Sequence, residues 1–269
     1  MNILDAILEQ KRVEILLRKQ KRPLSNLKSF PFYHRETHVM DLHKLEEAPG
    51  IIAEFKRQSP SKGPINMEAD PVVIAEAYRT AGVSAMSILT DRSFFGGSFA
   101  DLKRVRESEP GMVLLRKDFI IDSYQLHEAL AYGADMVLLI AANLEQGEVT
   151  DLALEARSLG LNVLFEVHSM DEMEKYHPAI RYVGVNNRNL KTFIVDTGLS
   201  LKLIGQMPEG VVPVSESGLS HVEEIVSLHK AGYKLFLMGE AFMREVDPGR
   251  ACALLMEGLK THYNYSNDK

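Results

Sequence analysis

The sequence has very few cysteines and no long apolar run, and these two absences narrow the class of protein. The single cysteine, Cys252, excludes an internal disulfide and is typical of a reducing compartment. No segment approaches the ~18 consecutive apolar residues of a membrane-spanning helix. The N-terminal segment also lacks the small-residue cleavage site of a secretory signal peptide. We therefore expect a cytoplasmic protein.

The sequence also has no excess of positively charged residues. The 269 residues include 31 Lys and Arg against 37 Asp and Glu, which gives a formal net charge of -6. Domains that bind nucleic acid or a membrane surface usually carry a basic field, so we expect neither partner. The 45% hydrophobic content is instead typical of a globular chain with a large core.

The first 48 residues contain a basic segment that permits two interpretations. It could be a helix that binds a membrane surface, or an amphipathic helix that packs on the protein body. The second is favoured because no aromatic residue anchors the apolar side. That side carries Ile3, Leu4, Ile7, Leu8 and Ile15. The cations of the segment, Lys11 among them, would then face water.

Eight short apolar runs alternate with stretches that carry helix signals. Asp70-Pro71 and Ser220 are typical of helix N-termini, and Gly82 of a C-terminus. Such alternation predicts an α/β protein with a (β/α)8 TIM barrel, which is usually about 250 residues long. An open doubly wound sheet is disfavoured, because no G-x-G-x-x-G follows the first strand. The predicted strands are 51–55, 84–89, 112–116, 135–140, 161–167, 180–185, 211–215 and 233–238. We expect a helical extension over 1–48 packed on a catalytic barrel over 49–269.

Polar side chains follow most of these strands directly. Glu54 and Lys56 are two residues apart at the end of the first strand, so both can face the barrel mouth. One charge at a strand end is often only the start of a solvated loop, but here the first strand and five others carry polar groups at their ends. In (β/α)8 barrels this end holds the active site. The other groups are Arg116-Lys117-Asp118, Glu166 and His168, Asn186-Asn187-Arg188, Glu216-Ser217-Gly218, and Gly239-Glu240.

These residue types indicate acid–base chemistry on a phosphorylated compound. A lysine beside a carboxylate in a partly dry cleft can donate a proton or hold an anion. SESGLS (215–220) and LFLMGEAFM (235–243) place small residues where barrels commonly bind phosphate, and Ser59 and Ser61 can complete that site. The histidines do not cluster at metal-ligand spacing, so no metal site is predicted.

Six segments together resemble the indole-3-glycerol-phosphate synthase family. They are IIAEFKRQSPSKG, LLRKDF, LFEVH, VGVNNRNL, VSESGLS and LMGEAFM, and the resemblance spans about residues 48–260. It implies ring closure of 1-(2-carboxyphenylamino)-1-deoxyribulose 5-phosphate with loss of CO2 and water, in tryptophan biosynthesis, without a cofactor or metal. One departure is His177-Pro178-Ala179, where the family usually has a Gly-Ala pair, and it puts the start of the sixth strand in doubt. We expect a monomer.

The resemblance also implies roles for the matched positions. It makes Lys117 the general acid of ring closure, and Lys56 the holder of the carboxylate that leaves as CO2. The other implied catalytic residues are Glu166 and Glu54 for proton transfer in the dehydration, and Asn186 and Glu216 for hydroxyl binding. Arg188 holds this network. The implied phosphate site consists of Ser59, Ser217, Gly218, Gly239 and Glu240.

An apolar wall for the aromatic ring is implied by the same resemblance. Its residues are Leu89, Phe95, Phe119, Leu138 and Leu190. Plain barrel core is the alternative for all five, and for Leu138 the two interpretations are equally open. Lys117 follows the apolar residues 112–115, so we expect desolvation to lower its pKa. That environment suits both acid catalysis and Schiff-base chemistry, so location leaves both open.

Three rival functions follow from the same barrel. Phosphoribosylanthranilate isomerase would need a cysteine base at the end of the first strand, where Glu54 and Lys56 stand instead. A Schiff-base aldolase would use Lys117 as its nucleophile. A non-catalytic phosphosugar-binding barrel would have no reason to gather two lysines and two glutamates in one mouth.

Overall fold

Eight parallel strands form a closed barrel in the computed structural model, which describes residues 3–190 and 192–267, the side chains of 264–267 excepted. Each strand pairs with the next along the chain, and the last pairs with the first. The predicted barrel is confirmed, and no strand boundary differs by more than two residues from the prediction. The barrel strands are β1 Gly50–Phe55, β2 Ala85–Leu89, β3 Leu114–Lys117, β4 Met136–Ile140, β5 Asn162–Val167, β6 Tyr182–Asn186, β7 Val212–Glu216 and β8 Leu235–Met238.

Twelve α-helices surround or precede these strands in the described part of the chain. Three precede the barrel: α1 Ile3–Lys21, α2 Leu24–Leu27 and α3 Leu42–Glu47. The others are α4 Pro71–Ala81, α5 Phe99–Ser108, α6 Ser123–Ala131, α7 Gln146–Ser158, α8 Met170–Met173, α9 Gly198–Leu203, α10 Val222–Ala231, α11 Glu240–Met243 and α12 Pro248–Asn267. Within 3–190 and 192–267, none of the helices combines the length and apolar character needed to cross a membrane.

Local sequence signals account for most helix ends. The Asp70 side chain accepts hydrogen bonds from the N–H groups of Val72 and Val73 at the start of α4. Gly82 ends that helix with a φ of 90°, a conformation that glycine adopts without strain. The prediction of Ser220 as an N-cap is wrong by one position, because the N-cap of α10 is His221.

The barrel interior is polar at the carboxyl ends of the strands and apolar over the rest of their length. Alternate side chains from all eight strands form one apolar cluster, which includes Ile52, Leu115, Leu164 and Val214. The intervening side chains pack in a second cluster together with the helices. The polar residues that follow the interior positions therefore meet at one end of the barrel.

The start of β6 is one of the places where the observed strand boundary differs from the predicted one. This strand begins at Tyr182, two residues later than predicted. A turn precedes it, in which the N–H of Ile180 donates to the carbonyl of His177 at 2.9 Å. The unusual His177-Pro178-Ala179 segment therefore lies in a turn and leaves the functional end of the strand unaffected.

Helix α1 packs on the barrel, as the amphipathic pattern predicts. Ile7 and Ile15 are buried, and Ile3, Leu4 and Leu8 pack against the apolar cluster inside the barrel. The expectation that its cations face water is wrong for Lys11, whose side chain is only 1% exposed. The division into two domains at residue 48 stays a prediction, and its outer ends, 1–2 and 268–269, lie outside the described residues.

Candidate active site

A cavity of about 570 Å³ opens at the carboxyl ends of the strands. All seventeen predicted site residues line it: Glu54, Lys56, Ser59, Leu89, Phe95, Lys117, Phe119, Leu138, Glu166, Asn186, Arg188, Leu190, Glu216, Ser217, Gly218, Gly239 and Glu240. They come together because the strand ends of a closed parallel barrel meet at one rim. The roles assigned to them stay predictions.

One ammonium group contacts three carboxylates at the centre of the cavity. Lys117 Nζ lies 3.2 Å from Glu216 Oε2, 3.5 Å from Glu166 Oε2 and 3.9 Å from Glu54 Oε2. The lysine side chain is 15% exposed and the three carboxylates are almost fully buried. Four strands, β1, β3, β5 and β7, each contribute one of these groups to the barrel interior.

The carboxylates reverse the expected pKa shift of Lys117. Burial by itself lowers the pKa of this ammonium, but the charges of Glu216, Glu166 and Glu54 outweigh burial and raise it. The predicted lowering is therefore wrong. The sequence shows the apolar residues before Lys117, but it does not show that three acidic side chains from other strands converge on it.

The pKa values of two of these carboxyl groups shift in opposite directions. Burial raises the pKa of Glu216, and although Lys117 opposes this, nearby Glu166 adds to the increase. Burial also raises the pKa of Glu166, but Lys117 and His168 outweigh it and the result is a lowered value. Like charges at close range disfavour ionisation of both groups, and the opposite directions of these pKa shifts make Glu216 the more readily protonated of the two.

Gly184 has no side chain, and this leaves room for the Glu216 carboxylate. A Cβ atom on Gly184 of β6 would lie 2.2 Å from Glu216 Oε1 and 3.2 Å from Leu164 Cδ1. Those distances leave no space for alanine beside the carboxylate. A second glycine, Gly239, gives the same kind of space to Glu54, whose Oε1 would lie 2.6 Å from an added Cβ.

Glu54 links the two lysines of the site. Its Oε1 atom lies 2.6 Å from Lys56 Nζ, and its Oε2 atom faces Lys117. Burial raises the pKa of Glu54, but Lys56 and Lys117 outweigh it and hold the pKa below its ordinary value. The acid and base at the end of β1 are therefore an ion pair that belongs to the cavity and not to a solvated loop.

The side of the cavity formed by the loops after β7 and β8 has a tight backbone turn and several cationic side chains. Ser217 and Gly218 both have left-handed φ values, 67° and 78°, and an added Cβ on Gly218 would lie 2.3 Å from a methyl group of Val195. The Glu240 carboxylate binds Lys62 at 3.2 Å and Arg188 at 3.0 Å. Lys62 and Arg244 line the cavity here and were not predicted.

The opposite wall is apolar. The rings of Phe95 and Phe119 lie 6.1 Å apart between centroids. Leu138 belongs both to the apolar cluster inside the barrel and to the cavity wall, and its contact with a substrate stays a prediction. The structure adds three residues of α1 to this wall, which are Ile3, Leu4 and Ile7. Their amphipathic spacing predicts packing, but the sequence has no signal for the end of the barrel on which they pack.

A buried ion cluster lies behind the apolar wall. Lys11 Nζ contacts Asp91 at 2.8 Å, Asp118 at 2.9 Å and Glu14 at 3.1 Å. Burial lowers the pKa of Lys11, but Asp118 and Asp91 outweigh it and raise the pKa above its ordinary value. Asp118 also binds Arg116 at 3.0 Å. The cluster connects α1 to the loops that carry Phe95 and Phe119.

A closed (β/α)8 barrel with two lysines and three carboxylates at its mouth belongs to the class of barrel enzymes that work by acid–base chemistry. The family model described as indole-3-glycerol phosphate synthase matches residues 4–255. The chain therefore belongs to the indole-3-glycerol phosphate synthase family. It is a lyase of tryptophan biosynthesis that acts on a small phosphorylated substrate.

Similar proteins agree with this assignment. The chain is 44% identical over 259 residues to the indole-3-glycerol phosphate synthase of Bacteroides thetaiotaomicron, covering 96% of this chain and 99% of that one. It is 44% identical over 263 residues to the synthase of the same name from Salinibacter ruber, covering 97% of each. A crystal structure of 3-hexulose-6-phosphate synthase matches 78% of this chain and 99% of its own with a TM-score of 0.61. At 15% identity, that match supports the fold alone.

Proposed function

We propose that this cavity closes the indole ring of 1-(2-carboxyphenylamino)-1-deoxyribulose 5-phosphate and releases CO2 and water. The observation that carries the proposal is the contact of Lys117 with three buried carboxylates, between an apolar wall and a cation-bearing loop region. Such a substrate has a flat ring at one end and a phosphate at the other, and the two sides of the cavity match that difference.

Binding uses three parts of the cavity. The aromatic ring lies against Phe95 and Phe119, and the phosphate accepts hydrogen bonds near the Ser217–Gly218 turn. Lys56 faces the carboxylate that is lost, and its ion pair with Glu54 limits where its ammonium can lie. Two anchors and a wall hold the reacting carbon atoms in one orientation, which lowers the entropic cost of ring closure.

In ring closure, the ring carbon that bears the carboxylate attacks the ketone carbon of the sugar chain. The carbonyl oxygen takes a proton from Lys117 and becomes a hydroxyl group. What supports this role is the position of the Lys117 ammonium among the three carboxylates at the centre of the cavity. The raised pKa of Lys117 keeps the amine protonated at neutral pH, whereas a Schiff-base lysine must lose its proton. The same observation disfavours the aldolase alternative.

Loss of CO2 then restores the aromatic ring, and dehydration completes the indole. A carboxylate removes a proton from the carbon next to nitrogen, and the new hydroxyl group takes a proton from an acid of the cavity and leaves as water. Glu166 suits the base because its pKa is lowered, and Glu54 is the second carboxylate within reach of Lys117. Asn186 and Glu216 bind hydroxyl groups. Arg188 holds this network, and its backbone N–H donates to Asn186 Oδ1 at 3.0 Å.

The test is indole formation from the candidate substrate, followed by fluorescence. We expect the wild-type protein to form the indole product, and Lys117→Met to lose at least ~100-fold in turnover with little change in substrate affinity. Lys103→Met, an exposed residue of α5 outside the cavity, is the matched control. Borohydride added during turnover is expected to leave the mass of the protein unchanged. A substrate-sized adduct on Lys117 would favour the aldolase and contradict the proposed acid.

We further propose that the active unit is a monomer in the cytoplasm, with neither nucleic acid nor membrane as a partner. Residues of a single chain line the whole cavity described above, which supports activity without a second copy. Sedimentation velocity at assay concentrations tests this point. Activity that appears only in a dimeric fraction would contradict it.

A further inference from the structure

His168 is a partly buried histidine that the proposed reaction does not use. It follows β5 directly, and its side chain is 12% exposed. It is not among the described residues that line the cavity. Carboxylate oxygens nevertheless lie near both ring nitrogens. Nδ1 lies 3.1 Å from Glu172 Oε2, and Nε2 lies 3.3 Å from Glu166 Oε1, a charge contact without the alignment of a hydrogen bond.

The local chain geometry fixes the second of these carboxylates. Ser169 caps the short helix α8 by accepting a hydrogen bond from the N–H of Glu172 at 3.3 Å. The turn brings the Glu172 carboxylate back to the end of β5, where it also accepts the backbone N–H of His168 at 2.6 Å. Glu172 therefore contacts both the backbone and the ring of His168.

A carboxylate oxygen near each ring nitrogen favours the imidazolium form of His168. A neutral imidazole would direct one lone pair towards a carboxylate oxygen, which is repulsive. Burial lowers the pKa of His168, but the Glu166 and Glu172 carboxylates outweigh it and raise the pKa to about 10. Both arguments favour a cation behind Glu166.

This cation distinguishes Glu166 from Glu216. Glu166 directs Oε1 to His168 and Oε2 to Lys117, so both of its oxygens face cations. Among the described residues, Glu216 has an ion pair with Lys117 alone, and its buried Oε1 atom has no hydrogen-bond partner there. The charged groups around Glu166 are Lys117 from β3, Glu54 from β1, Glu216 from β7 and His168 from its own chain segment.

We propose that His168, held by Glu172, is a positioning residue that orients the Glu166 carboxylate and keeps the shared proton of the Glu166–Glu216 pair on Glu216. It decides which of two chemically equal side chains is the base of the dehydration and which is the hydrogen-bond donor. The inference rests on the proposed function, because the base is named there. The charge of His168 itself does not depend on that function.

The first experiment measures turnover against pH for His168→Leu, Glu172→Gln and the control His43→Leu, an exposed residue of α3. For His168→Leu we expect kcat to fall about tenfold or more with KM within about twofold. We also expect the acidic limb of the kcat profile to move to higher pH by about one unit, because Glu166 without its cation binds a proton more readily. Glu172→Gln is expected to move the limb in the same direction by less, and His43→Leu not at all.

The second experiment does not depend on turnover. The ¹⁵N chemical shifts of the His168 ring, assigned by their absence from His168→Leu, are expected to be those of an imidazolium at pH 8. A neutral ring at pH 8, or unchanged pH profiles in both variants, would overturn the inference. Should His168→Leu fail to fold, the ring shifts are assigned with His168→Gln instead, and they decide the inference together with the Glu172→Gln profile. A wild-type protein that forms no indole would instead count against the proposed function, and the ring shifts would still test His168.

Discussion

Replacing Lys11 with methionine tests how the first helix is held on the barrel. Methionine keeps most of the side-chain volume and removes the charge, so the change isolates the ion cluster. Removing one partner of a buried ion pair costs about 3–5 kcal/mol, because the remaining charges stay buried without compensation. Asp118 keeps Arg116 at 3.0 Å, and Asp91 keeps the N–H of Phe94 at 2.8 Å. We therefore expect the lower end, about 3 kcal/mol.

The measurement is urea denaturation followed by far-UV circular dichroism. The control is Lys19→Met on the same helix, because Lys19 pairs with Asp122 at 2.7 Å but is 42% exposed. An exposed pair contributes about 0–1 kcal/mol, so the control is expected to lose no more than that. Since α1 supplies Ile3, Leu4 and Ile7 to the cavity wall, Lys11→Met is also expected to raise KM more than it lowers kcat.

The pH dependence gives this prediction a second check. Burial raises the pKa of Asp118, but Lys11, Arg116 and Thr90 outweigh it and hold the pKa well below its ordinary value. A depressed carboxyl pKa stabilises the fold above the unfolded value of about 3.9, and that contribution is lost as the pH falls. The difference between wild type and Lys11→Met should therefore shrink below about pH 4. A loss at pH 7 no larger than that of Lys19→Met would refute the reasoning.

Three further substitutions separate the parts of the cavity. Lys56→Ala should weaken binding and turnover of the carboxylated substrate but spare inorganic phosphate, and an equal loss of both would contradict the two-anchor arrangement. Gly218→Val should do the reverse, because the bulk falls on the phosphate turn, where φ is 78°; full phosphate affinity would place the anchor elsewhere. Gly239→Ala should displace the Glu54 carboxylate and reduce turnover by about 100-fold. Gly111→Ala, where an added Cβ meets nothing within 4 Å, should leave turnover unchanged.

The repeat of apolar runs was enough to predict the barrel, because strands that are buried on both faces are nearly continuous apolar segments. The strand-end rule then brought Glu54, Lys117 and Glu166 together correctly, since a closed parallel barrel has one carboxyl-terminal rim. The direction of the Lys117 pKa shift was not accessible in this way. It depends on distances between side chains from four strands, and the local sequence does not determine those distances.

Lys11 shows a second limit of the sequence. A cation among other cations on a helix predicts a solvated face, and only its acidic partners far along the chain make burial tolerable. The contribution of α1 to the cavity wall follows from the same docking. In both cases the missing information is a contact between distant segments, which periodicity does not contain.

The two glycines beside the carboxylates have a consequence for how substitutions in this barrel should be judged. At Gly184 and Gly239 the volume that a side chain would fill is occupied by a carboxylate from another strand. A change to alanine there looks mild by the usual measure of a core substitution, since it adds only one methyl group. That methyl group would displace an oxygen atom of Glu216 or Glu54, so at these two positions the absence of a side chain determines where a cavity carboxylate lies.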